Sequence, residues 1–207
     1  EVEFSIDKAT TDRLKGIAAG NKVTLNAVFQ TMWGILLQRY NNTEDVVFGN
    51  VVSGRPTEIE GIEEMVGLFI NTNPARIKAS DRVKFTELIK DTYKKSLESD
   101  KYSYFPLSEI QGRSELKQDL INHIMVFENY PISQSIKRQD LGFEITGIDG
   151  FEQTNYDFNL IIIPGEEITV KFLYNTLVYE SKIVNAIKYH FTQALNSITD
   201  SPDIEVG

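Results

Sequence analysis

Two imidazoles, His123 and His190, are the only histidines in this 207-residue sequence, and cysteine is absent. Nucleophilic or metal-assisted chemistry on these groups would need distant partners, because the histidines lie far apart and no neighbouring carboxylate spacing suggests a ligand set. No metal site is therefore read from the sequence. A Gly-rich phosphate loop carrying a Lys, a dinucleotide fingerprint and an HExxH helix are also missing. His190 falls on an apolar helical stripe, and His123 lies beside Ile121 and Met125 in an apolar run. Packed or boundary histidines are the commoner outcome in both settings.

The elements that would position any site are easier to read. Val2, Phe4 and Ile6 alternate as an opening strand. A short helix follows, with Thr10 or Thr11 as its cap, Leu14, Ile17 and Ala18 as its apolar face, and Gly20-Asn21 as its end. Thr24 is placed to cap a second helix, in which Leu25, Val28, Phe29, Met32, Trp33, Leu36 and Tyr40 recur at three- and four-residue steps. Asn41-Asn42 stops it. A strand over Asp45 to Val52 runs into a Ser53-Gly54-Arg55-Pro56 turn. Glu60 to Met65 reads as one helical turn, Leu68 to Ile77 as a buried strand, and Phe85 to Leu97 as a third amphipathic helix. Leu107 to Gln111 adds a further turn.

The second half is richer in strands. Leu120 to Phe127 is apolar on both faces, as in the middle of a sheet. Phe143 to Ile148 alternates, and Phe158 to Ile163 with Ile168 to Tyr174 flank Pro164-Gly165 as a hairpin. Ile183, Ala186, Ile187, His190, Phe191, Ala194, Leu195 and Ile198 mark a final helix, and residues from about 200 to 207 read as the start of a linker. Interleaved helices and strands predict an α/β (α+β) fold, a mixed sheet covered by helices, in one domain or lobe.

Composition narrows the partners. An apolar fraction of 41% and a charged fraction of 25% are those of a soluble globular chain. A formal charge of −9, with basic residues scattered singly or in pairs, argues against nucleic acid and anionic membranes. No apolar run approaches the ~20 residues of a membrane span, and the lack of cysteine fits a cytoplasmic setting.

Four segments, in order, carry more specific information. Asp45-Val46-Val47-Phe48-Gly49-Asn50-Val51-Val52-Ser53-Gly54-Arg55 resembles the YxDxxxGxxxxGR motif of condensation domains from nonribosomal peptide synthetases. Met65-Val66-Gly67-Leu68-Phe69-Ile70-Asn71-Thr72 is similar to the family's IGxFxNT element. Tyr104-Phe105-Pro106-Leu107 with Glu109-Ile110-Gln111 resembles its aromatic-Pro-Leu segment. Leu120 to Phe127, followed by Glu128-Asn129, resembles the motif that ends in an apolar strand and Asn. The IGxFxNT match suits condensation better than an epimerising relative.

The resemblance implies a chloramphenicol acetyltransferase-like fold, two similar lobes in a V with a tunnel between them. Residues 1–207 would be the C-terminal lobe. The implied reaction joins a donor peptidyl or aminoacyl thioester to the amine of an acceptor aminoacyl thioester. No cofactor is bound directly; both groups arrive on phosphopantetheine arms of partner carrier domains. The other implied partners are the N-terminal lobe of the same domain and an adjacent adenylation domain. The catalytic histidine of the family belongs to HHxxxDG, which this sequence lacks. His123 stands where the family has an apolar strand residue, so no catalytic residue is assigned to this lobe. Ser53, Gly54 and Arg55 match the turn near the tunnel floor. Gly54 would allow a backbone shape hindered by a side chain, and Arg55 would hold a lobe or a buried carboxylate, if it is not an ordinary surface ion pair. Asn71 matches the asparagine near the tunnel, where its amide would bind backbone or substrate, with satisfaction of a buried strand end as the competing reading. Tyr156 and Asp157, in Thr154-Asn155-Tyr156-Asp157-Phe158, match a strand at the lobe interface, with a plain strand start as the competing reading. A condensation-like module that recruits a carrier or partner enzyme without chemistry is the alternative function.

Overall fold

Alternating Val2, Phe4 and Ile6 form β1 (Val2–Ile6), after which Asp7 turns the chain into α1 (Lys8–Gly20). The computed structural model describes residues 1–55, 59–62, 64–128 and 154–207. Asp7 caps α1 in place of Thr10 or Thr11: its carboxylate accepts from the Thr10 backbone N–H at 2.9 Å and from the Thr10 hydroxyl at 3.0 Å. Those hydrogen bonds hold the Asp7 carboxyl below the usual carboxylate range. Thr11, relieved of capping, is buried and donates back to the Ile6 carbonyl at 3.2 Å. Thr24 caps α2 (Leu25–Asn41) by accepting from the Ala27 N–H at 3.2 Å, and Asn42 ends it in the left-handed conformation at φ 48°.

The remaining elements among the described residues are β2 (Asp45–Val52), β3 (Asn71–Lys78), α3 (Phe85–Asp100), α4 (Leu107–Arg113), a 3-10 turn over Lys117–Leu120, β4 (Ile124–Phe127), β5 (Phe158–Ile163), β6 (Ile168–Tyr174) and α5 (Ser181–Asp200). Strand β3 begins later than the apolar run suggests, because Leu68 is 94% exposed and Ile70 is also exposed ahead of the ladder. Strand β4 is shorter than expected, since Leu120 closes the 3-10 turn and pairing starts at Ile124. Among the described residues of the Glu60 to Met65 segment, the N–H groups of Ile62, Glu64 and Met65 donate to the carbonyls of Ile59, Gly61 and Ile62 as i to i+3 turns. The alternating Phe143 to Ile148 segment lies outside the described residues.

Among the described residues, six strands form one mixed sheet in the order β1-β6-β5-β4-β2-β3. Strands β2, β4 and β5 run parallel, and the other pairs are antiparallel. The expected hairpin is β5-β6, with Phe158 opposite Tyr174 and Ile163 opposite Thr169. Central strand β5 is buried at nearly every position, as a strand covered on both faces must be.

Helix α2 is the hub of the helical layer, packing against α1, α3, α5 and the β2-β3 ladder. Its Trp33 stacks on Phe158 with ring centroids 5.9 Å apart and planes 6° apart, and lies 6.4 Å from both Phe172 and Phe191. Helix α5 joins this cluster through Val184, Phe191, Leu195 and Ile198. The stripe is rotated from the one expected, so Ile183 and His190 face solvent. His190 Nδ1 instead lies 2.8 Å from the Tyr40 hydroxyl at the end of α2. After α5 the chain packs back on the start of α3, where the Phe85 N–H donates to Ile204 and the Val206 N–H to Val83, both at 2.9 Å. Val206 is buried, so the segment read as a linker is held to the fold that far.

Close approach of α2 to β3 depends on Gly34. A Cβ there would come within 2.3 Å of Ile77 Cγ1 and 2.6 Å of Ile77 Cβ. Gly34→Ala is expected to destabilise the fold by about 1–3 kcal/mol through overpacking. Denaturant unfolding of Gly34→Ala, Ile77→Ala and the double variant should show the double variant losing less than the sum. Strict additivity would remove the contact as the cause.

Candidate functional site

At the C-terminal end of β2 the chain turns through Ser53, Gly54 and Arg55 and meets the segment that leads into β3. The Ser53 hydroxyl accepts from the Arg55 N–H at 3.4 Å. Gly54 has φ +63°, and a Cβ on it would lie 1.8 Å from the Phe69 carbonyl oxygen. Both the conformation and the contact exclude a side chain. Arg55 then reaches across the loop, donating to the Ile62 carbonyl and, at 3.0 Å, to the Met65 carbonyl. Its guanidinium carbon stands 4.3 Å from the centroid of the Phe69 ring. Both acceptors are backbone carbonyls, so the Arg55 fork fastens the loop between β2 and β3.

Asn71 fastens the next segment. Its Nδ2 donates to the carbonyls of Ser103 at 2.7 Å and Phe105 at 3.1 Å, while Oδ1 accepts from the Thr72 N–H at 2.8 Å. Its amide thus binds backbone at the start of β3. Phe105 is covered in turn by the Arg113 guanidinium at 5.3 Å. Cross-strand register sets Asn71 opposite Val52, directly before Ser53. The first three motif segments therefore meet at one end of the β2-β3 ladder.

The fourth segment joins through Gly49. The Gly49 N–H donates to the His123 carbonyl at 3.0 Å, and a Cβ on Gly49 would come within 2.8 Å of both Ile124 and Thr72. The His123 ring is turned into the aromatic cluster. Its Nε2 accepts from the Trp33 indole N–H at 3.0 Å, and its face lies 5.9 Å from Phe48. With Nε2 occupied as an acceptor, the neutral ring carries its proton on Nδ1. Burial disfavours the charged form and lowers the His123 pKa from 6.5 to about 4. Trp33 as the partner of His123 was not legible from the helical stripe, because indole donors leave no periodic signal.

Tyr156 and Asp157 stand elsewhere. The register aligns Gly49 with Ile124 and Ile124 with Asn159, which puts these residues level with the start of β2. They are thus on the order of 20 Å along the strand direction from Ser53. Thr154 and Asn175 hold them as a strand start: the Tyr156 N–H donates to Thr154 Oγ1 at 3.1 Å, and Asn175 Nδ2 donates to the Asp157 carboxylate at 2.8 Å. Burial raises the Tyr156 hydroxyl above its ordinary pKa.

Comparison with known proteins gives one consistent answer. The family described as Condensation domain matches residues 1–207. Gramicidin S synthase 2 of Brevibacillus brevis is 46% identical over 210 residues, covering 100% of this chain and 5% of its own length. Tyrocidine synthase 2 of Brevibacillus parabrevis is 42% identical over 210 residues, covering 100% of this chain and 6% of its own length. The chain thus spans only a small part of these curated relatives. In structure it is similar to a four-domain nonribosomal peptide synthetase, holo-AB3403 bound to AMP and glycine, with TM-score 0.84 at 15% identity over 99% of this chain and 17% of that one. It is also similar to the condensation domain of the Monacolin K polyketide synthase MokA, with TM-score 0.79 at 17% identity over 100% of this chain and 48% of that one. The mixed sheet covered by helices expected from the sequence is therefore present, in the fold of these condensation-domain structures.

His123 makes a pH prediction. Its folded pKa lies below the unfolded value, so the folded state binds fewer protons between about 4 and 6.5. Stability is complete above about pH 6.5 and falls as pH drops towards 4, by about 2–3 kcal/mol between roughly pH 7 and pH 4.5. Unfolding curves for His123→Gln, which keeps an acceptor but does not titrate in this range, should lack that portion of the pH dependence. An identical pH profile for both proteins would refute the assignment.

Proposed function

Because the chain belongs to the condensation-domain family, we propose that it is the C-terminal lobe of an amide-forming acyltransferase. In that reaction the acceptor amine attacks the donor thioester carbonyl. A C–N bond forms, the C–S bond breaks, the donor carrier leaves as a thiol and the amine loses a proton. Carrier domains present both groups on phosphopantetheine arms, and an adjacent adenylation domain supplies the acceptor residue. Alignment and water exclusion lower most of the barrier in such a tunnel.

The observation that carries this reading is the gathering of the Ser53-Gly54-Arg55 turn, Asn71 and an exposed apolar segment at one end of the sheet. In that segment Val66 is 103% exposed and Leu68 94%, with Met65 and Ile70 beside them. A contiguous apolar surface of this kind marks a contact with another protein element. A second lobe is the natural cover, since this chain spans only 48% of the MokA condensation domain. The segment is presented rigidly because Arg55 ties it to the end of β2.

Proton transfer falls to the other lobe. His123 has Nε2 engaged by Trp33, and His190 lies on the outer surface with its Nδ1 against Tyr40. Neither is available to the tunnel end. The N-terminal lobe supplies the histidine near the amine, and this lobe contributes wall, floor and acceptor-side docking surface.

Two outcomes test the reading. The 207-residue chain alone should form no amide from two loaded carrier domains in a product assay, and adding the N-terminal lobe should restore it. Turnover by the chain alone would sink the division of labour, and an intact domain that binds carriers but makes no amide would assign it to recruitment. In the intact domain, Arg55→Ala should lower the condensation rate by about tenfold, roughly the effect of a small misplacement of the floor. An unchanged rate with normal folding would return Arg55 to a purely local role.

A further inference from the structure

A second polar site lies between the β2-β3 ladder and α3, two register positions along the ladder from Asn71. A cavity of about 120 Å³ is lined there by Gln30 of α2, by Asn50 and Asn73 from the ladder, and by Thr92, Ser96 and Asp100 of α3. Asn50 and Asn73 are direct cross-strand partners, and each is only 5% exposed. Their amides are not hydrogen-bonded to each other: among the described residues, Asn50 Oδ1 and Asn73 Nδ2 are both buried without a partner. A buried acceptor and a buried donor, side by side and unused, are unfavourable in an empty fold and favourable once something fills both.

The chemistry of the filler follows from that pair. A carboxylate would satisfy Asn73 Nδ2 but repel Asn50 Oδ1, and an ammonium group would do the reverse. The nearby cations offer an anion little, since Lys95 Nζ is 2.6 Å from the Asp91 carboxylate and Arg76 holds Asp45 at 2.5 Å and 2.8 Å. A neutral group with a donor and an acceptor side by side fits both asparagines. We propose that this cavity binds a carboxamide, whose C=O accepts from Asn73 Nδ2 and whose N–H donates to Asn50 Oδ1. The space of about 120 Å³ is enough for one small amide group. The site does not rest on the amide-forming reading, because it uses neither the Ser53-Gly54-Arg55 turn nor Asn71, although Asn50 belongs to the first motif segment.

The test uses acetamide as the probe and the intact condensation domain as the protein. The side-chain amide signal of Asn73, assigned from the spectrum of Asn73→Asp, is followed by heteronuclear NMR as acetamide is added. Saturable displacement of that signal is expected with acetamide, and none with acetate or N,N-dimethylacetamide, which lack the N–H. Asn50→Asp, close in size and fold, keeps an acceptor but adds a charge to the cavity, and should bind acetamide with altered affinity while the Asn73 signal still responds. A shift that never saturates, or one that acetate or dimethylacetamide reproduces, means that the cavity holds only water and overturns the proposal. Condensation activity need not change for either result to be decisive.

Discussion

Trp33 is the point on which the packing of this lobe converges. Its indole stacks on Phe158 of β5, lies against Phe172 of β6 and Phe191 of α5, and donates its N–H to His123 just before β4. One side chain thus fixes the position of α2 relative to three neighbouring strands and the last helix. Aromatic rings bring large buried area and prefer particular offsets, so such a cluster specifies arrangement as well as stability. The Gly34-Ile77 contact, one residue along the same helix, lets α2 approach closely enough for the cluster to form.

The motif end of the sheet is built on the same economy of space but with backbone groups. Gly54 accepts the Phe69 carbonyl into the volume that a Cβ would take, and Gly49 does the same for Ile124 and Thr72. Arg55 and Asn71 then satisfy carbonyls of irregular segments that no strand or helix would pair. Chain segments without regular structure are held in one shape by side-chain donors, and an apolar surface is presented without a core beneath it.

Charge plays a lesser part. The ion pairs of the described residues are largely solvent-facing, such as Arg13 with Asp200 and Arg39 with Asp81, and pairs of that type contribute little to stability. The pairing of Arg76 with Asp45 has a more specific consequence. Together with Pro74 it places a charge and a missing N–H on β3, the edge strand of the sheet, which discourages further strand pairing there.

Elements with a strong period were legible in the residues alone. Helix α2 and its Thr24 cap, strand β2, the β5-β6 hairpin and α5 follow from spacing, because one face of each must meet a core. The ordered motifs pointed to the family, and glycine at position 54 to a shape that only glycine allows. Tertiary structure decided the rest. Asp7 displaced the threonines as cap because backbone geometry, not residue type, chooses the acceptor. The apolar residues 68–70 stay outside the strand, with Leu68 and Ile70 exposed and Phe69 against the Arg55 guanidinium. The register of β2, β4 and β5 separated Tyr156 and Asp157 from Arg55 and Asn71, since strand direction and offset are set by long-range pairing that no local pattern encodes. For the same reason the partner of His123 became visible only when Trp33, ninety residues away in sequence, was brought beside it.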